Sequence, residues 1–580
     1  MNILGLSFDY HDSAAAILKD GAVVAASLEE RFSRRKHDAS FPVHAAKFCL
    51  EESGLAARDL DQVVFYERPL LKLDRILRSS LRWNFTGLGR FREVLVRWLA
   101  EDRLNVRGRI REALDVAPER VVFVDHHQSH AASAFFCSDF DEAAIVTVDG
   151  VGEHETASIS IGRDTTITKL ASVRFPHSLG LFYSGFTAFL GFEINEGEYK
   201  VMGMSGFGQP RFADELLKVF DFHDSGTFRM NQRFFDFTRS DAAPFLPALI
   251  ERLGPPRSPE QTFDPSGKGP ENERARHYAD VAASIQKCTE EVVLKMASRA
   301  LTLTGERNLC LAGGVALNSV ANGRIQRELG CPVYVHPAAG DAGGALGAAQ
   351  YYHHCVLGEK RAAPLLNPYL GKSFSREEVL QAVRLTGMPH KVFDRREELL
   401  DNVIQVLVGN GVVGWFHGKA EWGPRALGGR SILASPMSPD MQRILNEKVK
   451  FREPFRPFAP SVLKERAAEF FDVADMSSDL SPEHFMLSIG AVRPDRRSQV
   501  PAITHVDGTA RIHLVARSIN PTYYDLIEGF GRRTSVPVLL NTSFNLSGEP
   551  IVNSPEDALS SFSYSNMDCL AFENCVVYRR

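Results

Sequence analysis

The chain has 580 residues, of which 44% are hydrophobic and 24% charged, and its 67 basic and 72 acidic residues leave a net charge of -5. This balance predicts a globular protein of several domains and disfavours general nucleic-acid binding, which usually requires a basic excess. Eight cysteines occur without a C-x-x-C pair, which excludes a zinc ribbon or a dithiol redox pair. Asp9, His11 and Asp12 interrupt the N-terminus too early for a signal peptide, and no apolar run approaches the ~18 residues of a spanning helix. We therefore expect a cytoplasmic protein.

Two stretches of the first half predict similar α/β lobes. In the first, strands over residues 2–7 and 21–29 are joined through the Asp20-Gly21 turn. In the second, residues 143–162 read AAIVTVDGVGEHETASISIG, which is again a strand, a turn and a strand. The repetition predicts a duplicated α/β domain.

Residues 66–115 are rich in arginine, and their apolar residues recur at helical spacing. This pattern predicts a helical surface insertion with a solvated basic face. A membrane-surface helix is the weaker alternative, because Asp74, Glu93, Glu101 and Asp102 dilute the positive charge.

A histidine pair follows the strand predicted over residues 121–125. In the helical string HHQSHAASAFF, His126 and His130 are spaced i,i+4 and share one helical face, which suits two imidazoles on one metal ion. His127 and His130, at i,i+3, form the competing pair. Histidine pairs also cap helices or satisfy polar groups in a core, so the pair alone does not establish a metal site.

Two aspartates strengthen the metal hypothesis. Asp149 ends the strand AIVTV, and Asp341 lies in the glycine-rich turn AAGDAGGALG that opens a helix. A set of two histidines and two aspartates is richer in oxygen than a structural zinc site. It suits Fe(II), or alternatively Mn(II) or Zn(II), with open positions for a ligand.

Glycine turns predict a nucleotide site beside these carboxylates. Without a Cβ atom, backbone N–H groups can approach phosphate oxygens, and helix N-termini favour their negative charge. The predicted nucleotide-binding set is Gly150, Gly313, Gly314, Asn318, Gly340, Gly343 and Gly344.

A proline-containing stretch at residues 356–370 predicts a boundary that divides the chain into domains 1–360 and 361–580. The second domain contains two basic segments, residues 417–434 and 445–462, in which cations alternate with Gly, Pro and aromatic residues rather than with acids. This pattern favours a pocket for a polyanion. Its candidate residues are Lys419, Arg425, Arg430, Ser431, Lys448, Lys450, Arg452 and Arg456.

Two later segments add short polar side chains to the same predicted pocket. ITHVDGTARIH, residues 503–513, contains Thr504, His505 and Arg511. VLLNTSFNLSGEPIV, residues 538–552, places four candidates after an apolar strand, where hydroxyl and amide groups can bind an anion. They are Asn541, Thr542, Ser543 and Asn545. The alternative for this last segment is a turn held together by its own Asn and Ser side chains.

These strings together resemble the NodU/CmcH family of carbamoyltransferases. The matching strings are HDSAAAIL, EERFSRRKHD, DHHQSHAASAF, VDGVGE, GEYKVMGM, LAGGVALN, GDAGGALGAA, EWGPRALGGRSILA, REPFRPFAP, THVDGTAR and LLNTSFN with GEPIV. They run in order from residue 11 to residue 552, so the resemblance covers nearly the whole chain.

The resemblance implies an α/β fold with two parts: an N-terminal duplicated domain of the actin/sugar-kinase-like (ASKHA) type and a C-terminal YrdC-like domain. It implies that the C-terminal site converts carbamoyl phosphate and ATP, with Mg, into carbamoyl-adenylate and pyrophosphate. The N-terminal site, with Fe(II) on His126, His130, Asp149 and Asp341, would then transfer the carbamoyl group to a hydroxyl of a small molecule, as in antibiotic and other natural-product biosynthesis. It also implies that His11, Asp12 and Lys36 line the acceptor side as catalytic residues.

Two other functions remain open at this point. A tRNA threonylcarbamoyladenosine transferase shares the metal cleft, but it does not need the C-terminal cationic domain and is disfavoured by the acidic net charge. A non-enzymatic nucleotide sensor needs no second pocket for a phosphorylated substrate. We expect a small-molecule partner, no nucleic acid and no membrane, and a homodimer is compatible with the sequence.

Overall fold

The computed structural model describes residues 1–81, 85–237, 244–265, 269–474 and 478–579. These residues form two compact units. The first contains Met1–Ala26 and Ala39–Pro364, and the second contains Ser27–Asp38 and Leu365–Arg580. The boundary predicted at residue 360 does not account for the short segment Ser27–Asp38, which belongs to the second unit.

The first unit contains a five-stranded sheet in the order β3-β2-β1-β4-β5. β1 pairs antiparallel with β2 and parallel with β4, which in turn pairs parallel with β5. The strands, mostly buried, are β1 Asn2–Ser7, β2 Ala14–Lys19, β3 Ala22–Leu28, β4 Gln62–Phe65 and β5 Val121–Phe123.

A second five-stranded sheet of this unit repeats the arrangement, in the order β12-β11-β6-β7-β8. Its first three strands form an antiparallel meander, and two parallel strands follow on the other side of β6. The strands are β6 Glu142–Val148, β7 Glu155–Arg163, β8 Thr166–Arg174, β11 Leu309–Ala312 and β12 Val333–Val335, and a separate ribbon contains β9 Phe220–Phe222 and β10 Phe228–Met230. The predicted α/β class and the duplication of the lobes are confirmed.

The helices of the first unit connect and cover these sheets. They are Val43–Ser53, Pro69–Leu81, Phe85–Ala100, Val106–Leu114, His126–Phe135, Leu179–Phe189, Glu198–Ser205, Ala213–Leu217, Pro247–Leu253, Pro270–Thr304, Ser319–Leu329 and Asp341–Gln350. None of the described helices is both long and apolar enough to cross a membrane.

The predicted basic insertion is helical, apart from residues 82–84, which lie outside the described residues. Its basic face is not simply solvated. Arg109 donates to both carboxylate oxygens of Asp9, at 2.6 and 2.9 Å, and Arg103 donates to the carbonyl oxygen of Asp9 at 2.8 Å. Arg75 donates to the carbonyl oxygen of Gly152 at 2.8 Å. The basic face is therefore solvated only in part: Arg78 and Arg97 are exposed, whereas the other three arginines bind loops that follow β1 and β6.

Two equivalent helices position the site of the first unit. His126–Phe135 follows β5 and Asp341–Gln350 follows β12, so each helix begins after the outer parallel strand of its sheet. The helices pack so closely that a Cβ atom on Gly347 would lie 1.8 Å from the carbonyl oxygen of Ser129. This contact brings the two helix N-termini together.

The second unit contains an eight-stranded sheet in the order β13-β22-β21-β14-β15-β20-β16-β19. Alternate residues point to opposite faces, and both faces are buried, because Ile432 and Leu433 belong to different hydrophobic clusters. The strands are β13 His390–Val392, β14 Val413–Phe416, β15 Arg430–Ala434, β16 Ala459–Leu463, β19 His513–Val515, β20 Val538–Ser543, β21 Cys569–Ala571 and β22 Cys575–Tyr578, with a separate ribbon of β17 Ile489–Ala491 and β18 Thr509–Arg511.

One face of this sheet packs against the helices Arg396–Val408 and Pro521–Thr534, and the other packs against Arg376–Thr386 and Pro555–Tyr564. The short helices Glu30–Ser33 and Met441–Ile444 complete the unit.

Gly347→Ala should destabilise the first unit by about 1–3 kcal/mol, the usual range for overpacking, because the new methyl group meets backbone atoms that cannot rotate away. The midpoint of thermal unfolding measures the effect. Gly409→Ala is the matched control, since the nearest atoms to its Cβ lie at 3.4 Å and its φ of -74° suits any residue. Equal midpoints for Gly347→Ala and the unsubstituted chain would contradict this packing.

Candidate active site

The structure brings the two histidines and two aspartates of the predicted metal set together. The Nε2 atoms of His126 and His130 lie 3.1 Å apart. The Asp149 Oδ2 atom is 2.9 Å from His126 Nε2 and 3.4 Å from His130 Nε2. The Asp341 Oδ1 atom is 3.7 and 3.5 Å from the same two nitrogens.

These distances fit a divalent cation. An ion bonded at about 2.0–2.1 Å to four such atoms holds them about 3.3 Å apart in tetrahedral geometry. The pairwise distances of 2.9 to 3.7 Å scatter around that value. Two carboxylates balance the charge of the ion, and two neutral imidazoles complete the set. The donor set therefore fits a divalent cation, and the distances alone do not select among Fe(II), Mn(II) and Zn(II).

Electrostatics within the cluster couple the four groups. Burial disfavours an imidazolium at His130, but Asp149 and Asp341 outweigh it and raise the pKa of His130 to about 9. Burial also disfavours the Asp149 carboxylate, whereas hydrogen bonds from His126 and His130 hold its pKa well below the usual range. Without a cation, the aspartates therefore retain protons on the histidines.

His127 does not join the cluster. Its Nδ1 atom lies 2.7 Å from the Thr147 hydroxyl, which itself lies 2.7 Å from the Ser158 hydroxyl. Burial lowers the pKa of His127 to about 3, so the ring is neutral. Of the two pairs that the sequence left open, the structure brings His126 and His130 together.

His11 and Asp12 occupy the turn between β1 and β2. The Nδ1 atom of His11 lies 2.9 Å from Asp12 Oδ2. Burial opposes the charged ring, but Asp12, Asp341 and Asp149 together raise the pKa of His11 to about 9. His11 is therefore close enough to interact electrostatically with Asp149 and Asp341 of the metal set. Lys36 belongs to the second unit, where its charge contributes to a lowered pKa at Lys450.

The Gly313-Gly314 turn packs directly on Asp149. Gly313 has a φ of +90°, and a Cβ atom there would lie 2.3 Å from the carbonyl oxygen of Val148, so only glycine fits. The N–H of Gly314 donates to Asp149 Oδ1 at 3.0 Å. A Cβ atom on Gly150 would make only ordinary van der Waals contacts, with Leu181 and Tyr10 at 3.9–4.0 Å.

Three members of the predicted nucleotide set have local structural contacts instead. Gly343 and Gly344 lie inside the helix that Gly340 precedes, and their Cβ atoms would collide with the carbonyl oxygen of Ala338 and the ring of Tyr66. Asn318 caps the next helix by accepting from the N–H of Ala321 at 3.0 Å, and its amide also pairs with Gln286. Helix packing and capping explain these residues without a phosphate.

Two residues that the sequence did not single out contact the metal set. The Tyr66 hydroxyl donates to Asp341 Oδ2 at 3.3 Å. Glu153 accepts from the backbone N–H of His126 at 3.0 Å. The string VDGVGE contains Glu153, but no spacing rule links it to an amide 27 residues earlier.

In the second unit, four arginines converge. Arg511 is half-buried, and burial together with the charges of Arg425, Arg452 and Arg456 holds its pKa well below the usual range. The buried Nε atom of Arg511 has no hydrogen-bond partner among the described residues. Arg452 donates to Asn446 Oδ1 at 2.7 Å and lies over the ring of Phe458. The four arginines come from the segments in which the sequence predicts a cationic pocket.

Arg430 and Ser431 build the loop that carries Arg425 rather than lining the pocket. The Arg430 side chain is fully buried and donates to the carbonyl oxygens of His417, Gly418, Gly429 and Lys372 at 2.9–3.1 Å. Its guanidinium group stacks on Phe416 at 3.6 Å, and burial lowers its pKa to about 10.

The rest of this loop is held by side chains that accept from its backbone. Ser431 Oγ accepts from the N–H of Gly428 at 3.1 Å. Glu421 accepts three backbone N–H groups of the loop on one oxygen, at 2.7–3.0 Å. We expected Arg430 and Ser431 to contact the anion, and the structure instead gives both a role in fixing the loop.

Lys450 is also a structural cation. Its ammonium group donates to the carbonyl oxygens of Ser543 and Asn545, each at 2.7 Å, and to Asn545 Oδ1 at 2.5 Å. Burial, Arg452 and Arg456 hold its pKa well below the usual range. Lys448 is exposed and Lys419 is half-buried.

The remaining polar candidates divide between the pocket and local turns. Ser543 donates to Asn545 Oδ1 at 2.7 Å, which is the self-contained turn given above as the alternative. Thr504 donates to the carbonyl oxygen of Val500 at 2.9 Å, and Thr542 is half-buried. Asn541 is buried and donates to the carbonyl oxygen of Ala426 at 3.0 Å, next to Arg425.

His505 lies beside the arginine cluster as a neutral ring. Its Nδ1 atom lies 3.3 Å from the Thr509 hydroxyl. Burial lowers its pKa to about 4, and Arg511 acts in the same direction. His505 therefore adds no charge to the pocket.

The two units correspond to two parts of one protein family. The description "Carbamoyltransferase N-terminus" matches residues 2–350, and "Carbamoyltransferase C-terminus" matches residues 404–579. The chain belongs to the carbamoyltransferase family. It is therefore a transferase, as the sequence predicted.

Relatives match this carbamoyltransferase along most of its length. "Uncharacterized protein sll1178" of Synechocystis sp. is 43% identical over 99% of this chain and 96% of its own length. "Nodulation protein NolNO" of Sinorhizobium fredii is 34% identical over 98% of this chain and 79% of its own length. "Nodulation protein NolO" of Bradyrhizobium diazoefficiens is 37% identical over 79% of each chain.

Solved structures match the carbamoyltransferase only distantly. The activator of 2-hydroxyisocaproyl-CoA dehydratase from Clostridium difficile aligns with a TM-score of 0.31 at 16% identity, over 60% of this chain and 94% of its own. T. kodakarensis HypF aligns with a TM-score of 0.33 at 14% identity, over 62% of this chain and 48% of its own.

His126→Ala should lose bound metal, whereas His127→Ala should retain it. The first change removes one of four converging ligand atoms, and the second removes a ring that bonds to Thr147 instead. Elemental analysis of the folded variants after loading with Fe(II) or Mn(II) measures metal per chain. Loss of metal by His127→Ala with retention by His126→Ala would reverse the assignment.

Proposed function

We propose that the chain is an ATP-dependent O-carbamoyltransferase with one reaction in each unit. The second unit makes carbamoyl-adenylate, and the first unit transfers the carbamoyl group to a hydroxyl of a small molecule. The observation that carries the proposal is the cluster of Arg425, Arg452, Arg456 and Arg511, in which burial and then the charges of the other three arginines lower the pKa of Arg511. A bound polyanion relieves that repulsion, and MgATP with carbamoyl phosphate is a polyanion of suitable charge.

The formation of carbamoyl-adenylate in the second unit requires two steps if all atoms are to balance. In the first step, water hydrolyses carbamoyl phosphate to carbamate and phosphate. The bond that breaks joins the bridging oxygen either to the carbonyl carbon or to phosphorus. A carbamate oxygen then attacks the α-phosphorus of ATP, and pyrophosphate leaves. The first step releases phosphate and the second releases pyrophosphate, and planar guanidinium groups stabilise the negative charge of both products through paired hydrogen bonds. The preformed loop around Glu421 and Arg430 keeps Arg425 in place during both steps.

In the first unit, His126, His130, Asp149 and Asp341 would hold Fe(II), with Mn(II) or Zn(II) as alternatives. When bound, the ion supplies a Lewis acid that polarises a carbonyl group or neutralises phosphate charge. Asp12 occupies the Nδ1 side of His11, which leaves the other ring nitrogen for a substrate. The Asp12 carboxylate favours the protonated form of His11, so the ring suits donation of a proton to the oxygen that leaves with AMP.

The acceptor is a hydroxylated small molecule. The resemblance to a family that modifies antibiotics and nodulation factors supports this acceptor class, and two of the relatives are named nodulation proteins. A screen of sugars, aminoglycosides and macrocyclic alcohols with ATP and carbamoyl phosphate, read by the mass increment of one carbamoyl group, identifies it.

Arg511→Ala should abolish pyrophosphate release from ATP and carbamoyl phosphate, because the half-buried guanidinium group at the centre of the cluster is lost. A coupled pyrophosphate assay measures the rate. Arg493→Ala is the matched control, since its side chain is 52% exposed beside Asp495. Release by Arg511→Ala at the rate of the unsubstituted chain would remove the cluster from the reaction.

The half-reactions should separate by unit. His130→Ala should release pyrophosphate normally but fail to carbamoylate the acceptor, because His130 lies in the first unit and the arginine cluster in the second. Pyrophosphate release and acceptor mass are measured on the same preparation. Loss of pyrophosphate release in folded His130→Ala would indicate one shared site instead.

A further inference from the structure

The imidazole of His126 lacks the orienting hydrogen bond that metal-ligating histidines usually make. Such histidines almost always donate their second ring N–H to a carboxylate, carbonyl or water, which fixes the ring. The Nδ1 atoms of His126 and His130 are buried and have no hydrogen-bond partner among the described residues. The orientation of the His126 side chain therefore depends on contacts other than a hydrogen bond at Nδ1.

The backbone of His126 is held by a buried carboxylate. His126 is the first residue of its helix, where N–H groups have no partner within the helix. Asp125, at the cap position, makes no capping hydrogen bond with its side chain, which pairs with Arg68 instead. Glu153, which is 6% exposed, accepts from His126 N–H with both oxygens, at 3.0 and 3.2 Å, and from Arg68 N–H at 2.8 Å.

The turn that carries Glu153 also packs against the ring. A Cβ atom on Gly152 would lie 2.9 Å from both Cβ and Cδ2 of His126, so only glycine permits this approach. Arg75 donates to the carbonyl oxygen of Gly152 at 2.8 Å and anchors the turn from the helix Pro69–Leu81. The centroid of the Tyr66 ring lies 5.2 Å from that of the His126 ring. The turn and Tyr66 thus both contact the imidazole.

We propose that Glu153 is a positioning residue that fixes His126 for metal binding through its backbone amide, in place of the usual hydrogen bond to the ring. The inference rests on the metal site of the proposed function and extends it to a residue outside the ligand set. The carboxylate does not touch the ion. It sets the start of the helix and hence the direction of the His126 side chain.

The test compares metal affinity among three variants, with Mn(II) as the probe in isothermal titration of the full chain. Glu153→Ala should bind Mn(II) about 10–100-fold more weakly, the usual effect of removing an outer-shell partner. Glu153→Gln retains one oxygen that can accept from His126 N–H, so its loss should be smaller. Glu155→Ala is the matched control, because this nearby carboxylate pairs with Lys169 instead.

Thermal unfolding of the metal-free variants separates positioning from general destabilisation, since a positioning role predicts an affinity loss without an equal fall in the midpoint. Unchanged Mn(II) affinity in Glu153→Ala, or an equal loss in Glu155→Ala, would overturn the inference. If Glu153→Ala fails to fold, Glu153→Met replaces it, because this side chain has similar bulk but no oxygen that accepts from His126 N–H, and unchanged Mn(II) affinity in Glu153→Met overturns the inference in the same way.

Pyrophosphate release distinguishes failure of the inference from failure of the proposed function. If the unsubstituted chain binds no Mn(II), both the metal site and the inference are wrong. If it binds Mn(II) and releases pyrophosphate while Glu153→Ala behaves identically, the inference alone is overturned.

Discussion

The close approach of two helices is the constraint on which the first unit depends. Gly347 lies where any side chain would meet the backbone of Ser129, and a Cβ atom on Gly5 of β1 would lie 1.9 Å from the carbonyl oxygen of Ala345. Because each helix starts after the outer parallel strand of its own sheet, their contact brings residues about 200 positions apart to one point. His126, His130 and Asp341 converge because small residues let the helices meet.

The two sites handle buried charge in opposite ways. In the first unit, carboxylates and imidazoles face one another, so the cluster is balanced with protons and can exchange them for a cation. In the second unit, arginines face one another, and burial and repulsion both lower the pKa of Arg511. A cluster of like charges is stabilised by a ligand of the opposite sign, so its free energy favours anion binding. The two clusters therefore differ in charge: opposite charges balance in the first, whereas positive charge is in excess in the second.

Local periodicity explains which parts of these sites the sequence could predict. The i,i+4 spacing of His126 and His130, the strand-end position of Asp149 and the glycine turn at Gly313 each follow from the geometry of one element. The residue type alone does not show whether an arginine or lysine side chain binds a ligand or the protein backbone. Arg430 donates to four carbonyl oxygens and Lys450 to the Ser543–Asn545 turn, and these partners lie up to 95 residues away.

The same limit applies to glycines and to supporting residues. Gly343 and Gly344 match a phosphate turn in sequence, yet their small size serves the packing of Ala338 and Tyr66. Tyr66 and Glu153 support the metal set through contacts that no local pattern encodes. Sequence patterns thus identify residues that a single helix, strand or turn positions. They miss residues whose role depends on a contact between two such elements.

The inserted helix Val106–Leu114 also explains why only one of the two duplicated lobes supplies a strand-end aspartate to the metal set. The first strand of each sheet is followed by an aspartate: Asp149 comes directly after β6, and Asp9 comes two residues after β1. Asp149 faces two imidazoles, but both oxygens of Asp9 are occupied by Arg109 from the inserted helix Val106–Leu114. A carboxylate neutralised by a two-point guanidinium contact has little charge left to attract a cation. The insertion therefore leaves one lobe to supply the strand-end ligand, while the turn after Asp9 presents His11 and Asp12 instead.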